Sequence, residues 1–204
     1  LFTIGAEHQR VLMVGNNAAA VEAVLCAGRL LCPGCDGVLG PWGLARPRPI
    51  RIRGGHVLVE PRRSRCGGCL VTHVLLPTMC LLRRRDGVEQ VGSALLAFGL
   101  GEGHRRIAAR LGLPASTVRG WLRRFGGRAC FLASKFAALA RRLDPSLGHI
   151  SSRGSPVGDA LEAFGVAAGA AVRRFGPGRR WWFVSGASGG MLLANTNSPF
   201  RAAV

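Results

Sequence analysis

Two short cysteine pairs set the tightest limit on what this chain can become: Cys32-Pro-Gly-Cys35 and Cys66-Gly-Gly-Cys69. Each pair sits in a tight, glycine-bearing turn that lets two thiolates point at one ion. The interval between them, residues 36 to 65, contains a hairpin pattern. Ile50 and Ile52 alternate with Arg51 and Arg53, Gly54-Gly55 supplies a turn, and Val57 and Val59 resume the alternation. Two cysteine turns flanking β-strands are the layout of a small zinc ribbon, where four sulfurs close a tetrahedral site with no open position. Such a site cannot hold a reacting water, so the expected cofactor is a structural zinc on Cys32, Cys35, Cys66 and Cys69. Four thiolates on one dication leave a net charge of −2, which nearby Arg62, Arg63 and Arg65 would offset. His73 and His56 are alternative donors but read better as surface or strand residues. Cys26, Cys80 and Cys130 lack partners at ligand spacing and are expected as core thiols.

The segment His104 to Phe125 (HRRIAARLGLPASTVRGWLRRF) has the pattern of a helix-turn-helix. Ala108 sits where the first helix must let the second approach. Gly112, four residues on, suits a turn that needs a left-handed backbone. Ile107, Leu111 and Leu113 pair with Val118 and Trp121 as the buried faces. The positions left outward are Ser116, Thr117, Arg119, Gly120, Arg123 and Arg124, with Arg105 and Arg106 on the first helix. Hydroxyl and guanidinium groups suit phosphates and base edges, and no acid lies between Gly103 and Phe125. The plain alternative is an ordinary basic helical hairpin.

Charge points the same way. The chain carries 28 basic residues against 10 acidic ones, a formal charge of +18. A polyanion is the partner such a surface attracts. Codon bias in a GC-rich gene explains why Lys135 is the lone lysine, but not the shortage of acids. No apolar run approaches the ~20 residues of a membrane span. The N-terminus lacks a signal-peptide pattern, so the expected location is the cytoplasm, at the nucleoid, without membrane partners. The chain opens on Leu1, as a fragment or a literally translated alternative start codon would.

Other elements follow from periodicity. Residues 17–31 read as a short helix with Val21, Val24, Leu25 and Leu31 on one face, and Val71, Val74, Leu75 and Leu76 as a strand ended by Pro77. Val88, Val91, Leu95 and Phe98 mark a helix that Asp86 and Glu89 would cap. With the next two helices it makes a trio of the homeodomain-like kind. Leu132, Phe136, Leu139 and Leu143 mark a fourth helix over about 128–143. After a linker, Ser155-Pro156 opens another, with Val157, Leu161, Phe164, Ala168, Val172 and Phe175 inward. The expected class is therefore α+β, with a β-rich zinc ribbon, a mainly helical helix-turn-helix domain and a helical C-terminal segment. The blocks are a lead-in over 1–31, the ribbon over 32–77, the helical domain over 78–145, and a segment of unassigned role over 146–204.

With both modules placed, residues 21–125 resemble a bacterial family of GC-rich genomes, of unknown function, that joins an N-terminal zinc ribbon to a homeodomain-like helix-turn-helix. The resemblance rests on LLCPGC, WGLARPRPIR, PRRSRCGGC, THVLLP and GEGHRRIAARLGLPASTVRGWLRRF, with the tail GGMLLANTNSPFRA in support. The same order of modules is similar to the DNA-binding front ends of transposases. It implies DNA binding and a role in regulation or mobile elements, and it supplies no reaction.

No self-contained active site is legible. A transposase of the DDE type needs three carboxylates on an RNase H-like sheet, and after Phe125 only Asp144, Asp159 and Glu162 remain. The chain has no tyrosine for a tyrosine recombinase, and Gly186 to Gly190 lacks the ending of a phosphate-binding loop. The expectation is a sequence-specific binder of double-stranded DNA, not an enzyme, acting as a regulator or as the recognition subunit of a mobile element. The alternative is a scaffold that recruits a separate transposase or recombinase and binds DNA or RNA without specificity. A homodimer or such a partner enzyme would be its protein partner.

Overall fold

Alternating residues before position 77 form strands, and the 3.6-residue periods after it form helices. The computed structural model describes residues 10–193. Among these are six strands and seven helices, a mixed α and β protein. Among the described residues no helix is long and apolar enough to cross a membrane. The chain divides into two compact units, Leu1–Gly87 with Ser185–Val204, and Val88–Val184.

The first unit contains β1 (Val11–Val14), α1 (Ala18–Cys26), β2 (Leu39–Leu44), β3 (Arg48–Ile52), β4 (Gly55–Val59), β5 (Arg62–Cys66) and β6 (Thr72–Pro77). One sheet runs in the order β1-β6-β5-β2, and β3-β4 form a separate hairpin. The lead-in is therefore part of the sheet, because β1 pairs in parallel with β6, Val11 opposite Val74. The hairpin forms with its turn one residue earlier than the glycine pair suggests. Ile52 pairs with Gly55, so Arg53-Gly54 makes the turn, and Gly54 takes φ +82°. On one face of the sheet Leu12, Leu25, Leu30, Leu39 and Leu75 form a core under α1. Ile50, Val59, Leu76 and Cys80 form a second core with the hairpin.

Several expectations need correction here. Asn17 caps α1 by accepting the Ala20 N–H at 3.1 Å, but the helix stops at Cys26, and Gly28 turns the chain at φ +66°. Leu30, not Leu31, is consequently buried; Leu31 is 49% exposed. Cys26 is exposed, with its thiol 3.5 Å from the Glu22 carboxylate, and Cys130 is exposed as well, so only Cys80 is a core thiol. Asp86 does not serve as a helix cap. Its carboxylate faces the Arg51 guanidinium of the hairpin at 3.0 Å. Burial pushes its pKa up, against the pull of Arg51 and Arg84.

The segment after residue 184 returns to this unit. The Ser185 hydroxyl donates to the Cys80 carbonyl at 2.7 Å, and the Arg84 guanidinium donates to the Leu193 carbonyl. Gly189 and Gly190 turn at φ +61° and +73° and deliver Leu192 and Leu193 to buried positions. Residues 194–202 of the tail that supports the family resemblance lie outside the described residues.

The second unit is helical: α2 (Val88–Gly99), α3 (His104–Leu111), α4 (Ala115–Gly126), α5 (Ala129–Leu143), α6 (Pro156–Phe175) and the first part of α7 (Arg180–Ala187). Its core is aromatic. The Phe136 ring meets Phe164 edge-on at 4.4 Å, and Trp181 meets Phe164 edge-on at 6.1 Å. α6 lies along α5, the most extensive helix pairing of the unit, through Phe164 and a face of alanines. Phe164 is buried with Ala160, Ala163, Ala167, Ala168, Ala170 and Ala171, whereas Val172 and Phe175 are 41% and 61% exposed. Alanine lets two helix backbones come closer than a valine or phenylalanine stripe would, so the alanine face turned inward.

Candidate metal centre and basic helix pair

The four predicted cysteines come together. Their sulfurs lie within 4.8 Å of one another, with Cys32 Sγ 3.7 Å from Cys69 Sγ and Cys35 Sγ 3.4 Å from Cys66 Sγ. A tetrahedron of sulfurs at ~2.3 Å from a central ion has edges of about 3.8 Å, so the set matches a single ion in size as well as in donor chemistry. Cys32 and Cys66 are buried, and Cys35 and Cys69 are exposed.

The two turns that present them share one construction. In each, the residue after the second cysteine takes a left-handed backbone, Asp36 at φ +56° and Leu70 at φ +61°. In each, the first cysteine donates its N–H to the carbonyl five residues on, Cys32 to Gly37 at 2.8 Å and Cys66 to Val71 at 3.0 Å. The Gly68 N–H also donates to Cys66 Sγ at 3.3 Å. Side-chain-free residues fill the space between the turns. A Cβ on Gly37 would stand 2.9 Å from Cys66 Sγ and 3.4 Å from Cys35 Sγ.

Hydrogen bonds divide the charge among the sulfurs. The Cys69 N–H, then the Cys35 thiol and the Gly68 N–H, hold the Cys66 thiol down to about 6, against burial. Cys69 goes the other way. The Val71 N–H lowers it, but Cys35, burial and the two remaining cysteines outweigh that and push it up to about 12. The hydrogen bonds favour the charge on Cys66 and the proton on Cys69, and a bound dication would favour ionisation of all four.

The site has two companions, one without a reading in the sequence and one expected there only as an alternative donor. Gly37 has a faint signal in its place two residues after a cysteine pair. His73, expected at the surface or on a strand, is on a strand but buried, with Nε2 3.4 Å from Cys32 Sγ. His73 stands opposite Ser64 in the β5-β6 register, and only that pairing reveals its position. His56 is exposed on β4, outside the cysteine group. The three arginines expected to offset the sulfur charge do not surround it. Arg62 donates to both Glu22 oxygens, at 2.8 and 3.0 Å. Arg63 and Arg65 alternate with Ser64 and Cys66 and so face the opposite side of β5.

In the second unit, α3 and α4 are joined by Gly112, Leu113 and Pro114, and both pack against α2. Gly112 takes φ +63° and donates to the Ala109 carbonyl, the left-handed helix end anticipated from sequence. Ile107, Ala108, Leu113, Val118, Trp121, Leu122 and Phe125 are buried; Leu111 is half-buried. Arg105, Arg106, Ser116, Arg119 and Arg123 are exposed, and Thr117, Gly120 and Arg124 are half-buried. Arg124 spends one N–H on the Gly120 carbonyl at 3.3 Å. The acid closest in sequence, Glu102, is held by Arg110 at 3.0 Å. α4 begins without a side-chain cap, so backbone N–H groups of its first turn point outward.

Comparison with protein-family models, with curated proteins and with solved structures found no match.

Proposed function

We propose that this chain binds double-stranded DNA in a sequence-specific way, with α3 and α4 as a helix-turn-helix and α4 in the major groove. The observation that carries this reading is the division of α4. Val118, Trp121, Leu122 and Phe125 are buried on one side, while Ser116, Arg119 and Arg123 are exposed on the other, without an acid in either helix. Arg119 stands nearer the helix start, where base edges are reached in such docking, and Arg123 nearer the phosphates. Arg105 and Arg106 would contact the backbone from α3.

In this reading the cysteine cluster is a structural zinc site of a ribbon module. Its size and all-sulfur donor set favour zinc, and the ion would tie together two turns distant in sequence. Among the described residues the one group of metal-ligating side chains is the four cysteines, and the proposal is a binding protein, a regulator or the recognition subunit of a mobile element. The resemblance to transposase front ends supports the second of these roles.

Selection from a pool of random duplexes tests the proposal directly. An enriched motif of a few base pairs is expected. Salt-sensitive binding without enrichment would leave only non-specific attraction and overturn sequence recognition.

A further inference from the structure

A second surface on the first unit has the chemistry of a site for unpaired bases. β2 forms one edge of the four-stranded sheet, and its pairing with β5 slips between Pro41 and Gly43. Trp42 is the extra residue at this irregularity. Such a bulge re-aims a side chain, and the Trp42 ring is 50% exposed with the Arg65 guanidinium 4.5 Å above it. Arg65 is itself held by its bond to the Leu70 carbonyl at 3.3 Å.

The ground beside this pair is open. Gly40 lies opposite Arg65 and Gly43 opposite Arg63, so two residues without side chains face two arginines across the strands. A Cβ at Gly43 would meet nothing within 4 Å. Arg63 and Arg65 share their face of the sheet with Thr72 and Val74. β2, β5 and β6 contain no acid, and residues 10–87 hold twelve arginines against four acids.

We propose that Trp42, Arg65 and Arg63 bind single-stranded nucleic acid, with an unpaired base stacked on the Trp42–Arg65 pair and the strand's phosphates on the arginines. A flat exposed ring beside guanidinium groups selects a ligand with both a π-face and a negative backbone. In a duplex the base faces are covered by their neighbours, so this surface differs in preference from α4. The inference is independent of the duplex reading.

The test uses the metal-loaded full chain and fluorescently labelled twelve-nucleotide strands: oligothymidine, oligouridine and an abasic strand of equal charge. Binding of both homopolymers, with the abasic strand clearly weaker, is expected. Trp42→Ala should weaken the homopolymers roughly 5- to 100-fold, leave the abasic strand unchanged, and keep the metal content of the parent. Trp42→Phe should retain most of the affinity, and Arg119→Ala should leave single-strand binding alone while altering duplex binding. A preference for one homopolymer would report the joint effect of the sugar and the base methyl and still support the site. Equal affinity of parent and Trp42→Ala for both homopolymers would overturn the proposal, and so would an abasic strand bound as tightly as the others.

Discussion

The indole of Trp181 lies so close to the backbone of Gly92 that a Cβ on residue 92 would collide with the ring atoms Cδ2, Cε2 and Nε1. α2 and α7 meet at a point where only glycine fits. Replacing Gly92 by Ala should cost about 1–3 kcal/mol, the usual range for over-packing a core. Urea unfolding followed by tryptophan fluorescence measures it. A smaller ring in the double variant Gly92→Ala/Trp181→Phe should recover part of the loss; additive losses would mean the two residues do not share this contact.

Gly37 plays the corresponding part at the cysteine cluster. With Cys66 Sγ 2.9 Å from where its Cβ would stand, Gly37→Ala should weaken metal binding roughly 5- to 100-fold while leaving about one ion per chain at saturation. Competition with a coloured chelator reports the affinity. Cys66→Ser should abolish the site and unfold the first unit, since such metal binding is folding free energy. Elemental analysis of protein purified without chelator checks the stoichiometry.

His73 is expected to donate from its ring to the Cys32 sulfur when that sulfur is ionised. His73→Phe removes the donor and should lower metal affinity roughly 10- to 100-fold, as outer-shell partners commonly do. In cobalt-substituted protein the sulfur-to-metal absorption band should shift as well. An unchanged band with unchanged affinity would mean that the 3.4 Å approach is packing alone.

On α4, Arg119→Ala should cost about 1–3 kcal/mol and relax the selected motif at one position. Arg123→Ala should weaken all duplexes alike and flatten the salt dependence. In the proposed duplex complex Arg124 would be a poorer phosphate contact than its sequence position suggests, because it already bonds to the Gly120 carbonyl. A motif untouched by Arg119→Ala would mean that another face of the helix pair meets the DNA.

Asp144, just beyond α5, is held below its ordinary 3.8 by the Ser146 hydroxyl first and by Arg173 of α6 next. The Arg173 contact spans 2.8 Å. A depressed carboxyl stabilises the fold above its ordinary pKa, and that contribution is lost as pH falls through the folded value. Asp144→Asn should therefore be less stable than the parent at pH 7 and nearly equal to it once the parent's carboxylate is protonated. Denaturation midpoints across the acid range, read from the second unit's tryptophans, would show the two curves converging. Parallel curves would remove Asp144 from the account.

Features governed by neighbours in sequence were readable before any coordinates. The cysteine turns, the turn at Gly112 and the hairpin at residues 50–59 each depend on a few adjacent residues whose backbone needs are distinctive. What escaped depends on partners far along the chain. β1 pairs in parallel with a strand some sixty residues later, and a parallel pair leaves no turn signal. On α6 the expected inward positions Phe164 and Ala168 are buried, but Val172 and Phe175 are not, because hydrophobicity ranks them above alanine while the close approach to α5 favours the alanine face. Leu70 adopts a left-handed backbone without being a residue that favours one, and nothing in its neighbourhood announces it.

The twin construction of the cysteine turns has a consequence for how the site assembles. Each turn is a ready-made two-sulfur chelate closed by four residues, so capturing an ion demands little chain entropy, whereas joining the halves means closing a loop of some thirty residues. Ion capture is thus expected to be local and fast, with union of the halves as the slow step. When ions outnumber chains, both turns can load separately, and a doubly loaded chain must release one ion before the sheet can close. Refolding should accordingly be quickest near one equivalent of metal and slower in excess, so that a surplus of the ion would hinder the assembly that one equivalent favours.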